Sequence, residues 1–147
     1  EDNGLYQNPK AEAHTFDFNL QLQGTVAFPN IEYRVTDATE TQKDGTFWVM
    51  NYFYPGDDHL AAEDDPLISR YGIGETHKQF DGVERIVEMK IEEGAIRLVD
   101  IAPLYLRLNS DGESRNWEGI VKLDEIGFLL ITDRFPRTIF GFVQDLR

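Results

Sequence analysis

The stretch of residues 34–55, RVTDATETQKDGTFWVMNYFYP, decides the fold because it recurs without a gap as residues 115–136, RNWEGIVKLDEIGFLLITDRFP. Each copy combines a polar strand, a turn signal, an apolar strand and an aromatic residue followed by proline. The acidic residue Asp37 matches Glu118, and Phe47 matches Phe128. A repeated unit of strands and turns predicts an all-β architecture built from antiparallel hairpins, and the ungapped match predicts that the two copies form structurally equivalent hairpins with the same register.

The rest of the chain supports one all-β domain over residues 1–147. Short apolar segments separated by turn residues predict about ten strands, one of them at Trp117–Leu123, and no helix of ordinary length. One strand is expected from His14 to Leu22, ended by Gly24. Residues 56–81 form a long insertion loop between the copies, which we expect to be functional or mobile. A short helix is expected at residues 59–64. In the second copy we expect Trp117, Phe128, Leu130 and Phe135 to be buried, and Lys122 and Asp124 to be exposed.

The composition excludes several classes of function. The chain carries 27 acidic against 14 basic residues, and this balance argues against a nucleic-acid partner. Without cysteine the chain has no disulfide, thiolate metal site or cysteine nucleophile. Its apolar runs are too short to span a bilayer, so we expect no membrane insertion. The serines lie outside the nucleophile motif G-x-S-x-G, and the three histidines are expected at the surface.

Two segments resemble a known family. Residues 116–120, NWEGI, followed by residues 127–133, GFLLITD, resemble a blade of secreted bacterial β-propellers of the esterase-like, phytase-like or SdiA-regulated-like groups. Residues 47–52, FWVMNY, resemble the second strand of a preceding blade. The resemblance implies a secreted or periplasmic protein with two to three blades. Because propellers need at least four blades of about 40–50 residues, it also implies another chain or chain segment that completes the ring. A small β-barrel or a sandwich remains the alternative.

The repeat also predicts a metal site. Asp37 and Glu118 stand at equivalent positions, and in a propeller both carboxylates would converge on the central channel. Asn51 and Asp133, near the ends of the partner strands, would add oxygen ligands. Such a set of oxygens suits Ca²⁺, which we therefore expect as the cofactor. The alternative is that the two carboxylates accept backbone hydrogen bonds or pair with the arginine that begins each copy.

The aromatic strand of the first copy suggests a ligand surface. Trp48 and Tyr52 are candidates for stacking on a sugar or an aromatic ligand, although core packing is the alternative. The leading hypothesis is a binding or scaffold module of propeller type that holds a divalent cation. Two alternatives stay open, a metal-dependent esterase-like or phosphatase-like hydrolase and a small-ligand-binding barrel. The sequence identifies no catalytic residue and does not decide whether the protein is an enzyme.

Overall fold

A computed structural model of the chain describes residues 2–133 and 137–145. These residues form ten strands, one short α-helix and two 3₁₀ turns, which confirms the all-β prediction. The strands are β1 Glu12–Phe16, β2 Leu22–Ala27, β3 Arg34–Ala38, β4 Thr46–Phe53, β5 Val83–Glu92, β6 Ala95–Leu98, β7 Leu104–Tyr105, β8 Trp117–Leu123, β9 Gly127–Thr132 and β10 Phe140–Gln144. The helix α1 spans Pro66–Tyr71, and the 3₁₀ turns lie at Asp58–Leu60 and Thr76–Lys78.

Three antiparallel sheets contain these strands. The first sheet has the order β3-β4-β5-β6, with β7 paired to β5 beyond the end of β6. The second sheet has the order β8-β9-β10, and β1 and β2 form a separate hairpin. Strand β4 is rich in β-branched and aromatic residues and is buried along its whole length, as expected of a central strand covered on both faces.

The hairpin of β1 and β2 corrects one predicted strand. The alternation from His14 to Leu22 predicts a continuous strand, but the chain turns at residues 17–21. The carboxylate of Asp17 accepts the backbone N–H groups of Asn19 and Gln21, both at 2.9 Å. Such a local side-chain bond competes with strand pairing and favours a turn. Gly24, expected to end the strand, lies inside β2.

Both copies of the repeat form antiparallel hairpins with equivalent turns. The N–H of Gly45 donates to the carbonyl of Gln42, and the N–H of Ile126 donates to that of Leu123. These donors and acceptors are equivalent in the ungapped alignment. Residues 134–136, the end of the second copy, lie outside the described residues.

Beyond the turn, however, the two hairpins differ in register by one residue. Asp37 lies opposite Met50, whereas Gly119, not the aligned Glu118, lies opposite Ile131. In the first copy the N–H of residue 39 donates to the carbonyl of residue 48, and that of residue 42 to the carbonyl of residue 46. From residue 39 to residue 42 the chain advances by three residues, whereas the opposite strand advances by only two, from 48 to 46. The extra residue shifts the pairing as a β-bulge does. The prediction of identical register is wrong.

The two larger sheets pack face to face through one core. Its buried members are Trp48, Met50, Ile86 and Leu106 from the first sheet and β7 region, and Trp117, Ile120, Phe128 and Leu130 from the second sheet. The predicted burial of Trp117, Phe128 and Leu130 is thus confirmed, and Asp124 is exposed as expected. Phe135 lies outside the described residues.

Lys122 corrects the prediction that its side chain is exposed. Its ammonium group lies 4.8 Å from the ring centroid of Trp48 and 4.5 Å from that of Phe128. It also pairs with the carboxylate of Asp145 at 2.9 Å. A lysine can bury its aliphatic stem in this way while its charge keeps a partner.

The opposite face of the first sheet is covered by the insertion loop and the segment before β3. Phe47, Val49, Val87 and Met89 pack there against Ile31 and Leu67. The helix that carries Leu67 begins after Asp65, whose carboxylate accepts the N–H groups of residues 67 and 68, and Pro66 occupies its first turn. The α-helix therefore lies later than the expected residues 59–64, where only the 3₁₀ turn Asp58–Leu60 forms. No helix within residues 2–133 and 137–145 is long and apolar enough to cross a membrane.

Candidate ligand-binding cleft

The residues predicted to bind metal have other roles or positions in the fold. Asp37 lies on β3, and its Oδ2 accepts the backbone N–H of Ile120 at 2.8 Å. Thr36 beside it donates its hydroxyl to the carbonyl of Trp117 at 2.7 Å. Both side chains thus link β3 to β8. For Asp37 this is the alternative to metal binding, in which the carboxylate accepts a backbone hydrogen bond. Glu118 is exposed on β8.

The other two predicted metal ligands differ in burial. Asn51 is fully buried, and its amide nitrogen donates to the carbonyls of Glu32 and Arg34 at 2.8 and 2.9 Å. Its Oδ1 accepts the Nε–H of Arg85 at 2.7 Å. Asp133 is exposed. Among the described residues no three histidine or acidic side chains form a group placed to hold a metal ion, and the calcium site stays a prediction.

The two aromatic residues predicted to bind a ligand, Trp48 and Tyr52, lie in different surroundings. Trp48 is buried between the sheets, and its Nε1–H donates to Oε2 of Glu88 at 3.2 Å. Tyr52 lies further along the same strand, opposite Arg34, and lines a cleft. The cleft encloses about 340 Å³ where β3 and β8 begin. The described residues that line it are Arg34, Tyr52, Tyr54, Asp57, Ser114 and Asn116.

A tight turn after β4 places two of these residues. Pro55 and Gly56 occupy its centre, and the N–H of Asp57 donates to the carbonyl of Tyr54 at 2.9 Å. A Cβ on Gly56 would lie 2.2 Å from the Tyr54 ring, so only glycine lets this ring fold over the turn. The turn directs the carboxylate of Asp57 to the guanidinium of Arg34 at 2.9 Å.

Glu84 anchors the opposite wall of the cleft. This fully buried carboxylate accepts the backbone N–H of Arg115 at 2.6 Å and its guanidinium at 2.7 and 3.0 Å. It also accepts Nε1–H of Trp117 at 2.7 Å. Ser114 and Asn116 flank Arg115 directly in the chain. Glu84 therefore fixes both cleft residues and joins the first sheet to the second.

Two residues that line the cleft, Tyr52 and Ser114, carry hydroxyl groups without a hydrogen-bond partner among the described residues. The buried Oγ of Ser114 has no hydrogen-bond partner among the described residues. Nor does the hydroxyl of Tyr52 form a hydrogen bond within that part of the chain. Burial, followed by the negative charges of Glu84 and Asp57, raises the pKa of Tyr52, so its phenol stays a protonated donor. The Tyr52 hydroxyl is therefore available to an external partner, whereas the enclosed Oγ of Ser114 is not accessible to one.

A second buried ion pair holds the insertion loop. Arg85 is fully buried and pairs with Asp65 at 2.8 Å, and it also donates to the carbonyl of Ile31 at 2.8 Å. Asp65, one of several acidic residues in the insertion loop, is thus committed to Arg85 and to the start of α1. Sequence reasoning missed Glu84 and Arg85. Their signal is a charged pair inside the apolar strand 83–89, VERIVEM, since such charges need buried partners.

His77 also departs from the prediction of surface histidines, whereas His14 and His59 are exposed as expected. Its Nε2 accepts the backbone N–H of Glu84 at 3.2 Å, and its ring packs edge-on against Tyr105. Burial, followed by the positive charge of Arg85, lowers the pKa of His77 to about 4. This imidazole is therefore neutral near pH 7 and supports the backbone of β5 beside Glu84.

The side chains that line the cleft are suited to binding a ligand. Its described lining supplies a guanidinium, a carboxylate, an amide and three hydroxyl groups, with neither histidine nor cysteine. Arg34 already pairs with Asp57 and lies 3.4 Å from Asp2, so its positive charge is fully compensated. Comparisons with known proteins give no relative, because no family model, curated protein or solved structure matches the chain.

Proposed function

We propose that this chain is a binding module of β-propeller type and that the cleft at the start of β3 and β8 is its ligand site. The observation that carries this proposal is a cavity of about 340 Å³ whose wall combines a guanidinium, a carboxylate, an amide and the hydroxyl of Tyr52, which has no hydrogen-bond partner among the described residues. A concave site with a few convergent polar groups is the usual form of a small-molecule site. The described residues that line the cleft offer hydrogen-bonding groups. They do not pair a nucleophile with a base, which favours binding over hydrolysis as the function of the cleft.

The stacking of the sheets supports the propeller part of the proposal. In the first sheet, Trp48 and Met50 face the second sheet and pack against Phe128 and Leu130. The ungapped repeat aligns Trp48 and Met50 with residues 129 and 131 of the second sheet. The face of the second sheet that carries residues 129 and 131 is therefore equivalent to the face of the first sheet that packs on the second. A following sheet would pack on this face in the same head-to-tail order.

That face is apolar and exposed. Strand pairing places Val121, Leu129, Ile131, Phe140 and Phe142 side by side on it, and we call this surface the open face. Four of the five are exposed by 42–68%, and Leu129 is half-buried. A contiguous apolar patch without charge is unusual on so acidic a protein and marks an interaction surface. We propose that a further antiparallel sheet, from another chain or chain segment, covers the open face and extends the ring.

Nuclear magnetic resonance mapping tests the binding function. Amide shifts are followed while a mixed set of small neutral, anionic and cationic compounds is added. We expect a compound that binds to shift Tyr52, Ser114 and Asn116 first, and Tyr52→Phe to weaken it. The matched control Tyr6→Phe changes an exposed tyrosine outside the cleft. Shifts confined to other regions, or equal effects of both variants, would contradict the proposal.

A further inference from the structure

The charge, hydrogen-bonding groups and shape of the cleft narrow its ligand to one chemical class. Resting on the proposed function of the cleft, we propose that this ligand is a neutral polyhydroxylated ring, such as one pyranose unit, that stacks on Tyr54.

The electrostatics of the cleft disfavour an anionic ligand. The guanidinium of Arg34 lies 2.9 Å from Asp57 and 3.4 Å from Asp2, so an anion would compete with two carboxylates for it. The overall charge of −13 further disfavours anions at longer range. A neutral ligand avoids both costs.

The hydrogen-bonding groups of the cleft match a ring of hydroxyls. Asp57 accepts, Arg34 donates, and the amide of Asn116 does both. The hydroxyl of Tyr52 can both donate and accept, and it has no hydrogen-bond partner among the described residues. A sugar hydroxyl is likewise donor and acceptor at once, so neighbouring hydroxyls can satisfy such a mixed wall. An apolar ligand would leave the same groups unpaired, which is unfavourable.

Tyr54 supplies the flat surface that this ligand class uses. Its side chain is 46% exposed at the cleft, and the turn at Gly56 supports the ring from one side. An aromatic ring with a polar tip presents an apolar surface to the C–H groups of a sugar ring. At about 340 Å³ the cleft lies near the small end of ligand sites, which suits one ring rather than a chain of sugars.

Titrations followed by amide shifts test this inference with defined probes. The neutral probes are methyl β-glucoside, methyl α-mannoside and myo-inositol, and the comparison probes are glucuronate, glucosamine, cyclohexanol and calcium chloride. We expect at least one neutral polyol to shift Ser114 and Asn116 with a dissociation constant on the order of 1 mM. Tyr54→Ala should weaken that binding by about fivefold or more, and Tyr54→Phe should keep it. The exposed control Tyr6→Ala should leave it unchanged.

The outcomes separate the ligand class from the site. Stronger shifts of cleft residues with glucuronate, glucosamine, cyclohexanol or calcium would overturn the neutral polyol and leave the cleft as a binding site. No shift of any cleft residue with any probe, up to about 50 mM, would overturn both proposals. Neutral polyol binding that is unchanged in Tyr54→Ala would overturn the stacking role of Tyr54.

Discussion

Replacing Glu84 by glutamine should weaken the fold far more than removal of an exposed charge, because one buried carboxylate holds two sheets together. Glu84 is fully inaccessible and accepts four hydrogen bonds, three from Arg115 and one from Trp117. Glutamine keeps the size of the side chain but removes the charge and replaces an acceptor oxygen by a donor amide. The guanidinium of Arg115, only 17% exposed, then loses its counter-charge.

The expected cost follows from the burial of this pair. Removing one partner of a buried ion pair typically costs about 3–5 kcal/mol, whereas exposed pairs contribute about 0–1 kcal/mol. Glu92→Gln is the matched control, since its contact with Lys90 is 3.8 Å long and both side chains are more than one-third exposed. With a urea slope of roughly 2 kcal/mol per molar, Glu84→Gln should lower the unfolding midpoint by on the order of 2 M.

Urea unfolding followed by far-ultraviolet circular dichroism and by tryptophan fluorescence measures both variants. The fluorescence signal includes Trp117, whose indole N–H donates to Glu84. A loss of less than about 1 kcal/mol in Glu84→Gln, or a loss equal to that of the control, would refute the anchoring role.

Two further predictions concern the core and the buried histidine. Leu130 lies between the sheets, so Leu130→Ala should lower the free energy of unfolding by about 2–5 kcal/mol. Val121→Ala on the open face should lower it by less than about 1 kcal/mol. Equal urea midpoints of the two variants would contradict the assigned strand faces. Because the pKa of His77 falls from 6.5 to about 4 on folding, the unfolded chain binds more protons between these values. The stability due to the neutral imidazole, up to roughly 3 kcal/mol, is therefore present above pH 6.5 and lost as the pH falls toward 4. His77→Gln should flatten the pH dependence of urea unfolding in this window, and an unchanged slope would contradict it.

Local sequence patterns were sufficient to predict the strands but not the register in which they pair. Strand β8 has the predicted bounds Trp117–Leu123, because apolar alternation and flanking turn residues act over a few neighbours. The difference in register between the two hairpins arises from a bulge in the first copy. No residue type marks that bulge in residues 39–42, so an ungapped alignment passes over it.

The cleft was predictable only in part. Tyr52 was a ligand candidate from the crowding of aromatics in one strand, and the structure places it in the cleft wall. Ser114 and Asn116 carry no local signal, because their position depends on Glu84, some 30 residues away. Tyr54 and Asp57 reach the cleft through the turn that joins β4 to the insertion loop. Long-range hydrogen bonds of this kind cannot be deduced from spacing along the chain.

The labelling of a single thiol tests the central claim, that the sheets are repeat units stacked head to tail. The chain lacks cysteine, so Val121→Cys places a unique thiol on the open face, and Ile126→Cys places one in the β8–β9 turn as an exposed control. Each thiol is compared in the natural chain and in a chain extended by a second copy of residues 99–145. The account predicts that the extension slows modification at position 121 of the original sheet at least about tenfold, because the added sheet covers it, and leaves position 126 reactive. Equal reactivity of position 121 in both chains would contradict it.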